Sequence, residues 1–218
     1  MTDFHVPVEN DYARKHNEFF RDAKRLQLSA GILALILAVI IGVLIYANGF
    51  QGRTIGFTIS LGIFAFLCLI MVPVLPRAMG NPQQYYDMYQ LAPAVIAKVN
   101  PRDMVLLTLV DASTHARQNP QPSLIAPALA VRTVTSIPGV PREVGARVPS
   151  MAVTEVQRVQ DKDVYQEIIP MPVAWGTSDE SVWQDAERAI PTNQWKKLEG
   201  LIDRWEEAQE QKRDLLML

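Results

Sequence analysis

Two long apolar runs near the start of the chain limit what it can become: Leu26 to Ala47, then Ile55 to Leu75, with only Asn48 to Thr54 between them. A helix needs about 20 apolar residues to cross the hydrocarbon core of a bilayer, and both runs reach that length without a charged side chain. Core helices of soluble proteins are seldom so uniformly apolar, so the pattern predicts a two-helix transmembrane hairpin. A cleaved signal peptide is the alternative for the first run. That run is too long, starts too far from Met1, and is followed at once by a second span.

Around this pair the 218 residues divide unevenly, because the 49% hydrophobic content is concentrated in the two runs and the charges lie outside them. The division predicts residues 1–25 as a cytoplasmic arm, 26–76 as the hairpin, 77–90 as a juxtamembrane connector, 91–176 as a small β domain and 177–218 as C-terminal helices and a tail. The expected fold is therefore a membrane-anchored α+β chain. Five basic residues precede the first span (Arg14, Lys15, Arg21, Lys24 and Arg25), whereas the connecting loop carries only Arg53 and the exit carries Arg77. Basic flanks stay in the cytoplasm, which predicts an external loop, with both termini and the soluble domain cytoplasmic at a bacterial inner membrane.

Asp11 to Arg25 reads as one amphipathic helix, lying on the lipid surface or extending the first span into water. His5 and His16 lack a second ligand at metal-binding spacing and are read as solvent-exposed. In the first span Ala30, Ala34, Ala38 and Gly42 recur every four residues, and Gly56 and Ser60 repeat the spacing in the second. Such small-xxx-small ridges let helix backbones approach closely, which makes Ala34, Ala38, Gly42, Gly56 and Ser60 the helix-packing candidates. Common membrane-helix composition would give the same pattern. The lone Cys68 reads as a packing residue, since one thiol forms no internal disulfide. Intramembrane Asp, Glu, Lys, Arg and His mark ion and proton pathways, and their absence from both runs argues against a transporter acting alone.

Pro73 and Pro76 are expected to end the second helix, with Tyr85, Tyr86 and Tyr89 either in the headgroup zone or packed on the soluble domain. From Leu91 the period changes from helix-like to strand-like. Ala94 to Asn100, Met104 to Val110, Ala128 to Ile137, Val148 to Val156 and Val164 to Ile169 give about five strands with turn residues between them. Short strands without intervening helices predict a small antiparallel barrel, and a sheet packed on the C-terminal helices is the alternative. Thr177 and Glu180 have capping-box spacing before one helix, Pro191 breaks it, and a stripe of Trp195, Leu198 and Trp205 predicts a second. These three residues either pack on the barrel or dock a partner. Leu215 to Leu218 is an apolar tail.

Catalytic signatures are absent from the sequence: there is no P-loop, G-x-G-x-x-G, G-x-S-x-G or H-E-x-x-H. His115 beside Ser113, with Asp111, only superficially suggests a triad, since adjacent loop residues rarely form one. Asp161 and Asp163 flank Lys162 in a turn and read as solvated. No catalytic residue, metal ligand or cofactor site is assigned. Nucleic acid is excluded as a partner by charge: eight basic residues face seven acidic ones between Leu91 and Gly176, which is no stripe for phosphates. Arg142 and Arg147, near Gly139 and Gly145, are a candidate anion loop or an ordinary surface loop.

Five segments carry a family resemblance: Asn81-Pro82-Gln83-Gln84-Tyr85-Tyr86, Leu91 to Ala97, Asn100-Pro101-Arg102-Asp103, Val144 to Ser150 and Pro170 to Thr177. Over roughly Met79 to Trp195 the chain resembles a corynebacterial membrane-protein family known only as a domain of unknown function. The resemblance implies a cell-envelope setting in bacteria with a mycolic-acid outer layer, and transfers no site residues. The expected function is a non-catalytic accessory or scaffold protein, with the bilayer and a larger membrane complex or a second copy as partners. The alternatives are a membrane-tethered sensor for a small molecule, nucleotide or lipid headgroup, and a membrane-bound enzyme with a dispersed site.

Overall fold

The computed structural model describes residues 4–49, 52–114, 124–154 and 163–218. They form two compact units: Glu18–Gly80, and Met1–Asn17 together with Asn81–Leu218. The chain therefore starts in the soluble unit, leaves it for the hairpin and returns.

The hairpin consists of α2 (Glu18–Asn48) and α3 (Gly52–Met79), both long and apolar enough to cross a membrane. Helix α3 runs through Pro73 and Pro76 instead of ending there. The two missing N–H groups leave the carbonyls of Leu69 and Val72 without their helical donors, a loss that membrane helices tolerate. One turn on, the Arg77 guanidinium donates to the Pro73 carbonyl at 3.1 Å.

The arm is also unlike its expected single helix. Helix α1 (Asn10–His16) stops at Asn17, whose backbone is extended (φ −74°, ψ 115°), and α2 begins afresh at Glu18. Val6, Ala13 and Asn17 are fully buried in the soluble unit, so the arm as far as Asn17 belongs to that fold and the rest of it continues into the hairpin.

After the hairpin, Asn81 caps α4 (Pro82–Met88) by accepting from the Gln83 N–H, with Pro82 at the first position, where its missing N–H costs nothing. Seven strands follow among the described residues, against the five expected: β1 (Gln90–Ala92), β2 (Ala94–Val99), β3 (Met104–Asp111), β4 (Pro127–Val134), β5 (Ser150–Thr154), β6 (Ile168–Pro172) and β7 (Leu215–Met217). They make two antiparallel sheets, ordered β1-β5-β6 and β2-β3-β4-β7. One extended stretch bends at Pro93 and feeds both sheets. The sheets do not close on each other, so the barrel description holds only loosely. All of β3 is buried, which is why it reads as a continuous apolar run and not as an alternation. The outer edge of β2 is covered by the 145–147 loop, through Gly145 N–H to Ile96 O (2.8 Å) and Ile96 N–H to Ala146 O (3.0 Å).

The main core gathers Leu91, Ile96, Leu107, Leu129, Met151 and Trp175, and a smaller alanine-rich cluster includes Ala92, Ala128, Ala130 and Ala152. Helix α5 (Glu180–Ala189) is capped by Asp179, which accepts from the Ser181 N–H at 2.9 Å, so the Thr177–Glu180 capping box does not form. Pro191 does separate α5 from α6 (Thr192–Glu199). The last predicted helix is broken: α6 stops at Gly200, a 3₁₀ turn spans Ile202–Arg204, and α7 covers Trp205–Glu210. The apolar tail is β7, paired with β4 from Ala128 to Ala130.

Candidate functional site

Within the hairpin the less exposed positions on α2 include 27, 30, 34, 37, 41 and 44, and those on α3 include 54, 58, 61, 65, 68, 72 and 75. Spacings alternating between three and four are those of an antiparallel coiled-coil seam. Ala30, Ala34 and Cys68 are buried in it, and a Cβ built on Gly31 would meet the Val72 side chain at 3.8 Å. The every-four ridge leaves this seam. Each four-residue step turns the direction by about 40°, so Gly42 lies about 120° round from Ala30. Accordingly Ala34 is in the seam, while Ala38, Gly42, Gly56 and Ser60 are exposed. A Cβ on Gly42 or Gly56 would meet nothing within 4 Å, and the Ser60 hydroxyl donates to the carbonyl of Gly56 at 3.1 Å.

In the soluble unit the arm is held by a dense polar clamp. Glu9 Oε1 accepts from the Thr177 hydroxyl (2.8 Å), the Ser178 N–H (2.8 Å) and the Ser178 hydroxyl (2.9 Å). These bonds, led by the Ser178 N–H, hold the Glu9 carboxyl below its ordinary pKa. Gln83 accepts from the Val8 N–H and donates to the Val6 carbonyl, both at 2.8 Å, as a strand partner would. Tyr86 is fully buried, donates to the Pro172 carbonyl at 3.0 Å and accepts from Asn17 at 3.4 Å. Burial pushes its hydroxyl far above the usual phenol range. A Cβ on Gly176 would meet the Tyr86 ring at 2.8 Å, so the ring lies directly on that backbone. Tyr85 and Tyr89 pack against the same core, which realises the domain-packing alternative for the three tyrosines. His5 pairs with Asp87 at 2.9 Å, and His16 stacks on Tyr12 with ring centroids 4.2 Å apart.

The remaining predicted residues are dispersed. Trp195 and Leu198 are buried in the domain core, and Trp205 is half-buried beneath the Lys98 ammonium, 4.7 Å from its ring centroid. Arg142 donates to the carbonyls of Asn100 (2.8 Å) and Asp103 (3.3 Å). Arg147 lies over the Trp195 ring and bonds Glu199 (2.7 Å) and Glu187 (3.2 Å), and the Glu199 bond is the largest cause of its raised pKa. Two carboxylates thus occupy the guanidinium that an anion would need. Beside it, an open polar groove of about 550 Å³ is lined by Arg147, Gln184, Glu187, Arg188 and Thr192, with Ile190 and Trp195.

Asp111, suggested for a triad, accepts three backbone N–H groups, from Ser113 (3.0 Å), Ile125 (2.8 Å) and Ala126 (3.0 Å). It ties residues 113, 125 and 126 to the end of β3. His115 lies outside the described residues, as do Asp161 and Lys162. Sequence reasoning missed Glu9, Gln83, Asn17 and Gly176. Their one visible signal was Asn81-Pro82, a helix start placed directly after the second span.

A crystal structure of a "putative membrane protein" from Corynebacterium diphtheriae is similar, with 42% identity and a TM-score of 0.53 over 59% of this chain and 100% of that one. Among curated proteins none matches the chain. A family described as a protein of unknown function (DUF3239) matches residues 77–206, from the end of α3 into α7. With more than half of its length covered by that match, the chain belongs to this family of proteins of unknown function.

Proposed function

We propose that the chain is a non-catalytic accessory or scaffold protein of the bacterial inner membrane, a subunit of or adaptor to a cell-envelope complex. The observation that carries this reading is the interrupted soluble unit. The arm before the hairpin and the domain after it fold together through Glu9, Gln83 and Tyr86, so the chain enters and leaves the hairpin from one folded platform. A platform of this kind requires its two connections to lie on one side of the bilayer. The charge bias favours the cytoplasmic side. Along the hairpin, one seam joins the helices and large apolar side chains such as Leu35, Phe57 and Phe66 point outward, which suits an anchor for lipid or a neighbouring span. Detergent extraction with mild crosslinking from native membranes should recover a stoichiometric membrane partner. Recovery of a free monomer alone would count against the scaffold.

The sensor reading is favoured by the groove beside Arg147. A rise in melting temperature with a small anionic or nucleotide ligand, lost in Arg188→Ala, would support it. A panel of such ligands without effect would remove it.

A further inference from the structure

The charges of the hairpin unit are gathered at one end. Between Glu18 and Gly80 the Asp, Glu, Lys and Arg residues are Glu18, Arg21, Asp22, Lys24, Arg25, Arg53 and Arg77, and only Arg53 belongs to the loop end. The antiparallel seam that sets Gly31 beside Val72 brings Lys24 and Arg25 level with Arg77. Four cations therefore collect there against two carboxylates. Arg21 is engaged by Glu18 at 3.2 Å. Arg25 meets Asp22 only at 3.6 Å, with both side chains more than half exposed (71% and 64%), so this pair neutralises little. Lys24 and Arg77 are exposed and have no carboxylate partner among the described residues. Arg77 spends one N–H on the Pro73 carbonyl and keeps the rest of its fork.

We propose that this end of the hairpin binds anionic phospholipid headgroups, with Lys24 and Arg77 as the principal phosphate contacts and Arg25 as a weaker third. The inference rests on the reading that the hairpin spans a bilayer. Its chemistry is specific to the headgroup level: the apolar runs begin at Leu26 and end at Leu75, so both unpaired cations sit within one helical turn of the hydrocarbon boundary. A guanidinium offers a planar donor fork to phosphate, and an ammonium offers a compact charge. Basic residues at such a boundary attract anionic lipid, and salt screens the attraction.

The test uses the full chain reconstituted in mixed bilayers, with spin-labelled phosphatidylglycerol and spin-labelled phosphatidylcholine compared for the fraction immobilised on the protein. Wild type should retain phosphatidylglycerol preferentially, and the preference should fall as salt rises. Lys24→Gln combined with Arg77→Gln should reduce it by about tenfold, whereas Arg53→Gln should leave it unchanged. Equal retention of the two lipids by wild type would overturn the proposal. So would an equal loss in Arg53→Gln. Immobilisation of neither lipid would instead overturn the spanning reading, and the headgroup site with it.

Discussion

The two units of this protein are stabilised in opposite ways. The hairpin is held along a single seam whose contacts follow a repeat local to each helix, and the rest of its surface is apolar and exposed. The soluble unit is held by contacts between distant parts of the chain: Glu9 to Ser178, Asn17 to Tyr86, and β4 to β7. A helix satisfies its own backbone, so a hairpin in lipid needs only a face for its neighbour. A sheet satisfies its backbone between strands, so residues far apart in sequence must be brought together first. The expected consequence is that the same size of substitution does more damage in the soluble unit.

The largest effect is expected from Leu198→Ala, which empties a fully buried site against the sheets and should cost about 2–5 kcal/mol in denaturant unfolding of the soluble unit. A cost near zero would mean that α6 is not part of the core. Gly139→Ala should cost about 1–3 kcal/mol, because the backbone is left-handed there (φ 71°) and the new Cβ would lie 2.2 Å from the Trp183 ring. Tyr86→Phe should cost about 1–2 kcal/mol by removing the hydroxyl that donates to the buried Pro172 carbonyl and accepts from Asn17. Hydrogen exchange should also speed up at the Asn17 amide.

In the hairpin the contrast can be drawn one turn apart. Ala34→Leu should disturb the seam, whereas Ala38→Leu should leave helix pairing in a purified monomer unchanged, as read by crosslinking between cysteines placed on the two helices. If Ala38→Leu or Gly42→Leu nevertheless weakens assembly in native membranes, the outward ridge contacts a partner. The gentlest perturbation is pH. The folded pKa of Glu9 lies below its unfolded value near 4.5, so its contribution is present above that value and is lost as pH falls through the lowered one. Arm amides should therefore exchange faster in acid before the sheets open, and Glu9→Gln should abolish this step. An arm that opens only with the whole domain would show that Gln83 and Tyr86 hold it without Glu9.

The sequence alone determined the two helices of the hairpin, because each run is long and free of charged residues, and the alternating runs at Ala94–Val99 and Pro127–Val134 with the continuous apolar run at Met104–Asp111 determined three strands of the larger sheet. It also marked the break at Pro191, where a missing N–H interrupts the helix. Only the tertiary structure decided which alanines face the seam, since a four-residue ridge and a three-four seam share Ala30 and Ala34 and then diverge. It likewise decided that Leu215–Met217 pairs with β4, a choice that depends on an open strand edge and not on the tail's own composition. The arm gives the plainest case. Its amphipathic pattern suits a lipid surface or a protein core equally well, and what selected the core was a set of partners, Gln83, Tyr86 and Ser178, that lie on the far side of the hairpin in sequence.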